Sequence, residues 1–143
     1  IVFAVSNNGQ LTAINLRTGK RIWERNIGGV ESPWVAGNYL FLISNNTDLI
    51  ALGKKDGQIY WVTALPEWEN QKTRKGKLTW TGPVLGSDRL VLASSGGQAL
   101  SISPYSGEIL GKKKMPDGVT ISPIIAQDTL IFLSDDAELV SYR

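Results

Sequence analysis

The sequence has neither cysteine nor histidine among its 143 residues. It therefore lacks a disulfide framework, a thiol nucleophile, a Cys/His zinc cluster and a histidine general base, which excludes the commonest hydrolytic and redox sites. The formal net charge of +2 is too small to indicate nucleic acid as a partner. No apolar run approaches the length of a membrane span. With 42% hydrophobic residues, the chain can nevertheless form a packed core.

What the sequence does contain is an internal repeat. The stretch VFAVSNNGQLTAINLRTGKRIW aligns without a gap with LFLISNNTDLIALGKKDGQIYW, with LVLASSGGQALSISPYSGEILG and with LIFLSDDAELVSYR. These stretches start at Val2, Leu40, Leu90 and Leu130, so the periods are 38, 50 and 40 residues. The landmarks that recur in register are Ser6, Ser44, Ser94 and Ser134; Gly19, Gly57 and Gly107; and Pro33, Pro83 and Pro123. A period near 40 residues is typical of repeat architectures such as propellers.

Each unit shows the pattern strand, turn, strand, turn, strand, and a fourth short strand fits around each proline. The first strands, in units starting near residues 1, 39, 89 and 129, are apolar at nearly every position, which predicts cover on both faces. The third strands carry charges, such as Lys112, Lys113 and Lys114, and suit an exposed outer edge. We therefore predict an all-β fold, a β-propeller of four-stranded antiparallel blades, with residues 1–143 forming about three and a half blades.

The segment AINLRTGKRIW resembles the A-x-D-x-x-T-G-x-x-x-W signature of quinoprotein-type propellers, the PQQ-like repeats, with Asn15 in place of the usual aspartate. In such repeats the tryptophan packs between adjacent blades and the glycine turns the chain. The signature positions retained in the first three units are Gly19, Trp23, Gly57, Trp61 and Gly107. The third unit has Gly111 where the tryptophan is expected, so the resemblance implies that this blade lacks the tryptophan contact.

Longer stretches, NNGQLTAINLRTGKRIWERNIG, TGPVLGSDRLVLASSGG and DTLIFLSDDAELVSYR, resemble the C-terminal half of the BamB family. This is the lipoprotein B subunit of the β-barrel assembly machinery. The resemblance implies an eight-bladed periplasmic propeller of a Gram-negative bacterium, held at the outer membrane by an N-terminal lipid anchor that is absent from this chain. It also implies a non-enzymatic scaffold without a cofactor, whose partners are the machinery's main barrel subunit and unfolded outer-membrane protein clients.

Two alternatives from other classes are a fragment of a PQQ-dependent dehydrogenase and a generic PQQ-like interaction module. The quinoprotein resemblance would imply a catalytic aspartate, calcium ligands, a tryptophan platform and often a vicinal disulfide. The chain has no cysteine for that disulfide, and its acidic residues fall mostly in turns. Asp135 and Asp136 could form a metal-binding pair, but their alignment with Asn7-Asn8 favours a solvated turn. We assign no catalytic, cofactor-binding or metal-ligating residue, and we interpret Trp23 and Trp61 as core residues.

The second period is longer because of an insertion, predicted as a loop over residues 66–79 with the sequence PEWENQKTRKGKLT. Loops on rigid scaffolds commonly carry binding, and tryptophan and arginine are favoured at interface hot spots. The candidate partner-binding residues are Trp68, Glu69, Lys72, Arg74 and Lys75. The alternative is a charged loop whose Trp68 folds back on the blade rim.

The repeat also bears on the state of the chain. Propellers close with typically four to eight blades, so about three and a half blades cannot close a ring. We expect either a piece of a larger protein or self-association that covers the open blade faces.

Overall fold

The computed structural model describes residues 1–143 and consists of sixteen β-strands with no helix. The chain divides into two compact units, Ile1–Ala64 and Leu65–Arg143. In both units every sheet is antiparallel, and its strands are neighbours in chain order. No helix is present that could cross a membrane.

Unit 1 contains two sheets. The first has three strands, β1 (Val2–Ser6), β2 (Gln10–Ile14) and β3 (Arg21–Arg25). The second has four strands, β4 (Trp34–Ala36), β5 (Tyr39–Ile43), β6 (Asp48–Gly53) and β7 (Ile59–Ala64). The core between them is formed by Leu11, Ala13, Trp23, Leu40, Leu42, Ile50 and Leu52, with Phe3, Val5 and Ile27 packed against it.

Unit 2 contains a hairpin and two sheets. The hairpin is β8 (Trp68–Asn70) and β9 (Lys75–Lys77). The four-stranded sheet is β10 (Trp80–Gly86), β11 (Arg89–Ser94), β12 (Gln98–Ile102) and β13 (Ile109–Lys114). The three-stranded sheet is β14 (Ile124–Ala126), β15 (Thr129–Leu133) and β16 (Leu139–Tyr142). The core of this unit is formed by Ala93, Ala99, Met115, Val119 and Phe132, with Val91, Leu130, Val140 and Tyr142 packed against it.

Burial follows the predicted pattern in the four-stranded sheets but not at β1. Strand β5 is buried along nearly its whole length, whereas the outer strands β7 and β13 are mostly exposed. In β1, Phe3 and Val5 pack on the core, but Val2 is 42% exposed. The prediction that both faces of this first strand are covered is therefore wrong for β1, because the side chains of unit 1 cover only one of its faces.

The serine that recurs in all four units closes the first turn of each unit. Its side-chain oxygen accepts a hydrogen bond from the backbone N–H four residues later, a local bond typical of serine in turns. The four distances are 3.3 Å for Ser6, 3.3 Å for Ser44, 3.1 Å for Ser94 and 3.1 Å for Ser134. The apolar strand thus ends at the serine because its hydroxyl stabilises the turn that follows.

The outer tryptophan of the first sheet joins it to the second sheet of unit 1. Trp23 is 8% exposed, and its Nε1 donates to the Lys54 carbonyl at 3.0 Å. A Cβ on Gly57, whose φ is +68°, would lie 2.7 Å from the Trp23 ring. Arg25 strengthens the junction, since its Nε donates to the Gly57 carbonyl at 2.9 Å. The glycine is therefore required both for its backbone conformation and for the close approach of the indole ring.

The recurring prolines lie at sheet edges. Pro33 and Pro123 each directly precede a short edge strand, β4 and β14. Pro83 lies within the edge strand β10, where the register shifts between Thr81 and Val84, and its peptide bond with Gly82 is cis. Because proline cannot donate to a ladder, these are the positions at which a sheet accommodates it.

Candidate functional site

The insertion forms an ordered β-hairpin where the sequence predicted a loop. Trp68 pairs with Lys77 and Asn70 pairs with Lys75. The turn between the strands is closed by the Asn70 side chain, whose Oδ1 accepts from the Lys72 N–H at 3.1 Å and from the Thr73 N–H at 3.2 Å. Asparagine forms such turns readily, so this local bond organises the tip of the hairpin.

The base of the hairpin is anchored in unit 2. Leu65, Leu78 and Trp80 are 5%, 7% and 5% exposed. The Trp80 Nε1 donates to the Pro66 carbonyl at 2.7 Å, and the Leu78 N–H donates to the Glu67 carbonyl at 2.8 Å. The insertion is therefore held on a rigid base, as a binding surface on a scaffold requires.

The five candidate partner-binding residues occupy two different environments. Trp68 is only half-buried, and with Pro66 and Leu78 it lines a cavity of about 610 Å³. This cavity is also bordered by Gly96 and Gly97 of the turn between β11 and β12 and by Lys112, Lys113 and Lys114 of β13. Trp68 thus borders a cavity of its own unit, and both its role as a partner contact and the fold-back alternative stay predictions. The remaining candidates, Glu69, Lys72, Arg74 and Lys75, are exposed.

The hairpin and the outer strand β13 together give this part of unit 2 a basic surface. Lys72, Arg74 and Lys75 are exposed on the hairpin, and the three consecutive lysines of β13 border the same cavity as Trp68. An aromatic side chain beside several exposed cations suits a partner surface that is both acidic and apolar. The sequence identified the hairpin cations, but it could not show that the lysines of β13 border the same cavity as Trp68.

The acidic pair near the end of the chain accepts hydrogen bonds from two hydroxyl groups. The Thr120 hydroxyl donates to Asp135 Oδ1 at 2.7 Å, and the Ser134 hydroxyl donates to Asp136. No group of three or more carboxylate, histidine or cysteine side chains is arranged to hold a metal ion. Asp136 is therefore engaged within its own turn, whereas Asp135 bonds to a residue 15 positions earlier in the chain.

Comparison with known proteins gives consistent matches. The family model described as "Outer membrane protein assembly factor BamB" matches residues 1–63. The chain is 30% identical to the outer membrane protein assembly factor BamB of Escherichia coli over 142 residues, which is 99% of this chain and 34% of that protein. The chain thus spans about a third of the length of the curated relatives it matches. These relatives are named as an assembly factor, which agrees with the prediction that the chain is not an enzyme.

Solved structures show the same fold. The crystal structure of BamB from Moraxella catarrhalis superposes with a TM-score of 0.73 at 15% identity, covering 98% of this chain and 42% of that one. The quinohemoprotein alcohol dehydrogenase of Comamonas testosteroni superposes with a TM-score of 0.72 at 17% identity, covering 91% of this chain and 27% of that one. The predicted fold class, an all-β propeller of four-stranded antiparallel blades, is confirmed, while the blade number of eight stays a prediction. The chain is therefore similar to BamB along nearly its whole length, and its first 63 residues match the family model.

Proposed function

We propose that this chain belongs to a non-catalytic scaffold that binds other proteins during the assembly of β-barrel proteins in the outer membrane. The observation that carries the proposal is the 30% identity to the E. coli assembly factor over 99% of this chain. The scaffold acts in the periplasm of a Gram-negative bacterium, at the outer membrane. Its partners are the main barrel subunit of the assembly machinery and unfolded outer-membrane proteins.

We further propose that the hairpin contributes to the partner surface through Trp68, Glu69, Lys72, Arg74 and Lys75. The buried base supports this role, because a preorganised surface loses little conformational entropy on binding. Half-buried Trp68 offers apolar area, and the exposed cations favour encounter with an acidic partner. The charged residues contribute mainly to the association rate, and Trp68 contributes mainly to the lifetime of the complex.

The test is co-purification of the main barrel subunit with the tagged full-length protein from its own bacterium under mild detergent. The amount of barrel subunit that co-purifies with the variant Trp68→Ala, Arg74→Ala should be lower by a factor of at least about ten. This is the loss expected when a hot spot is truncated. The matched control is Leu16→Ala with Arg17→Ala, which removes an exposed apolar residue and an exposed arginine from unit 1. Both variants should unfold at the temperature of the parent protein.

The outcomes separate the two proposals. Failure of the barrel subunit to co-purify with the parent protein would overturn the assembly role. Equal co-purification with the parent and the hairpin variant would remove the hairpin from the partner surface and leave the assembly role standing. Dye-linked alcohol oxidation after addition of quinone and calcium would instead support the dehydrogenase alternative.

A further inference from the structure

One position of the repeat differs between otherwise equivalent strands. In the first two sheets of the repeat, a tryptophan on the outer strand is paired across the ladder with an alanine, and in the third the tryptophan is replaced by glycine. The three register pairs are Ala13 with Trp23, Ala51 with Trp61, and Ser101 with Gly111. A Cβ added to Gly111 would meet only Ser101 Oγ, at 3.1 Å, and Gly111 borders a cavity.

This cavity lies within unit 2, and we name it the Gly111 cavity. It has a volume of about 630 Å³, within the range of sites that take small ligands or side chains. Apolar side chains form much of its lining: Val91, Ala99, Leu130, Phe132 and Tyr142. The rings of Phe132 and Tyr142 meet edge to face, with centroids 6.0 Å apart and an interplanar angle of 77°. This lining suits an aromatic occupant, because aromatic rings favour such tilted contacts with one another.

The cavity is also strongly cationic at its rim. Four basic residues line it, Arg89, Lys112, Lys113 and Arg143, against the single carboxylate of Asp128. All four are exposed, and Lys113 places its Nζ 4.0 Å from the centre of the Tyr142 ring. An excess of cations around an apolar floor selects ligands that combine an aromatic group with negative charge.

We propose that the Gly111 cavity binds the aromatic side chain of an acidic peptide segment in a partner protein. The aromatic ring enters the cavity beside Gly111 and contacts the half-buried Leu130 and Tyr142. Acidic residues on either side of that ring pair with Arg89 and Arg143. The proposal commits to a protein partner because an extended acidic segment can fill the cavity and reach the rim cations at the same time.

This site is distinct from the proposed hairpin surface, although Lys112 and Lys113 border both cavities. Arg89, Arg143 and Gly111 line only the Gly111 cavity of the two. Substitutions at these three positions therefore test this site without altering the hairpin. The test also needs no component of the assembly machinery, so its failure is distinguishable from failure of the proposed function.

The test is fluorine NMR titration of the intact chain with a short acidic peptide whose central residue is fluorinated tryptophan. The fluorine signal reports the probe alone and avoids interference from the chain's own tryptophans. We expect saturable binding that weakens in high salt, as pairing with exposed cations requires. A peptide with the same fluorinated tryptophan between lysines should bind at least about tenfold more weakly. The acidic peptide with alanine at its centre carries no fluorine, so its affinity is measured by competition, and it should be weaker by the same factor.

Two variants locate the site. Gly111→Trp combined with Ser101→Ala restores the alanine and tryptophan pair of the other sheets and fills the cavity, so binding should fall at least about tenfold. Arg89→Ala with Arg143→Ala should weaken binding and reduce its salt dependence. The charge-matched control, Arg17→Ala with Lys20→Ala, lies in unit 1 and should bind as the parent does.

Several results would overturn the proposal. One is equal affinity for the acidic and basic peptides, and another is unchanged binding by the cavity-filled variant. If the cavity-filled variant fails to fold, unchanged binding by the Arg89→Ala, Arg143→Ala variant would also overturn the proposal. Loss of binding in a longer version of the protein would show that the cavity is occupied by the protein's own residues, which also overturns a partner site.

Discussion

The ring of Trp23 lies against Gly57 of the neighbouring sheet, so close that a Cβ on that glycine would be 2.7 Å from the ring. The same indole donates to the Lys54 carbonyl at 3.0 Å. One side chain of β3 therefore contacts the second turn of the next sheet through both its ring face and its nitrogen. Within unit 1, the outer part of the sheet-to-sheet junction depends on this pair.

Replacing the glycine tests the close approach. Gly57→Ala should lower the free energy of unfolding by about 1–2 kcal/mol for the left-handed backbone and by roughly 1–3 kcal/mol more for overpacking against Trp23. Gly19 is the matched control, because it occupies the same turn of the first unit with φ +71° and nothing lies within 4 Å of its added Cβ. Gly19→Ala should show the backbone cost alone. Equal losses for the two variants in urea unfolding would contradict this account.

Replacing the tryptophan separates its ring from its hydrogen bond. Trp23→Ala should cost about 3–5 kcal/mol, the usual loss for a large buried aromatic side chain. Trp23→Phe keeps much of the apolar contact but loses the hydrogen bond to the Lys54 carbonyl. The lost bond should lower the free energy of unfolding of this variant by about 1 kcal/mol. Chemical denaturation of both variants provides the comparison. A phenylalanine variant as unstable as the alanine variant would show that ring shape, not burial, determines the junction.

The recurring serines should differ in importance according to their burial. Ser94 is fully buried, and its Oγ accepts from the Gln98 N–H at 3.1 Å. Ser94→Ala leaves that donor without a partner and should cost about 1–3 kcal/mol. Ser6 makes the equivalent bond at an exposed turn, where water can replace it, so Ser6→Ala should cost well under about 1 kcal/mol. Equal destabilisation in thermal unfolding would refute the role of burial.

The Glu31 carboxyl should make stability depend on pH. Burial raises its pKa above the ordinary value of 4.5. The folded protein therefore holds this proton more tightly than the unfolded chain does, so the contribution of Glu31 to stability is greatest below that ordinary value and is lost as the pH rises through its folded-state pKa. Glu31→Gln should raise the melting temperature at pH 7 and change it little at pH 3. An equal shift at both pH values would contradict the assignment.

The sequence predicted the sheets well because turn chemistry and apolar strands recur together. Asn15 was recognised as the residue in place of the aspartate of the repeat signature, and its Oδ1 accepts from the Arg17 N–H at 2.9 Å. The hairpin was missed because its strands, WEN and KGK, have three residues each and no apolar alternation. The exposed face of β1 was also missed. An apolar strand indicates that its faces are buried, but it does not show which residues pack against them.

The candidate site was predictable in composition but not in geometry. The sequence identified Trp68 and the basic residues around it. The repeat alignment also showed Gly111 at the position where the signature has a tryptophan. It could not show that Trp68 and the lysines of β13 border one cavity, because that depends on how the hairpin is placed relative to the sheet. The Gly111 cavity likewise depends on residues that come from separate strands, such as Val91 and Tyr142.

Every ladder in this chain joins strands that follow one another along the sequence. Pairing between such strands closes only short loops, and proteins rich in local contacts fold faster than those that depend on distant pairings. Each sheet can therefore complete its hydrogen bonds soon after its own residues leave the ribosome or a translocation pore. A chain organised in this way limits the time during which its own unpaired strand edges are available to aggregate.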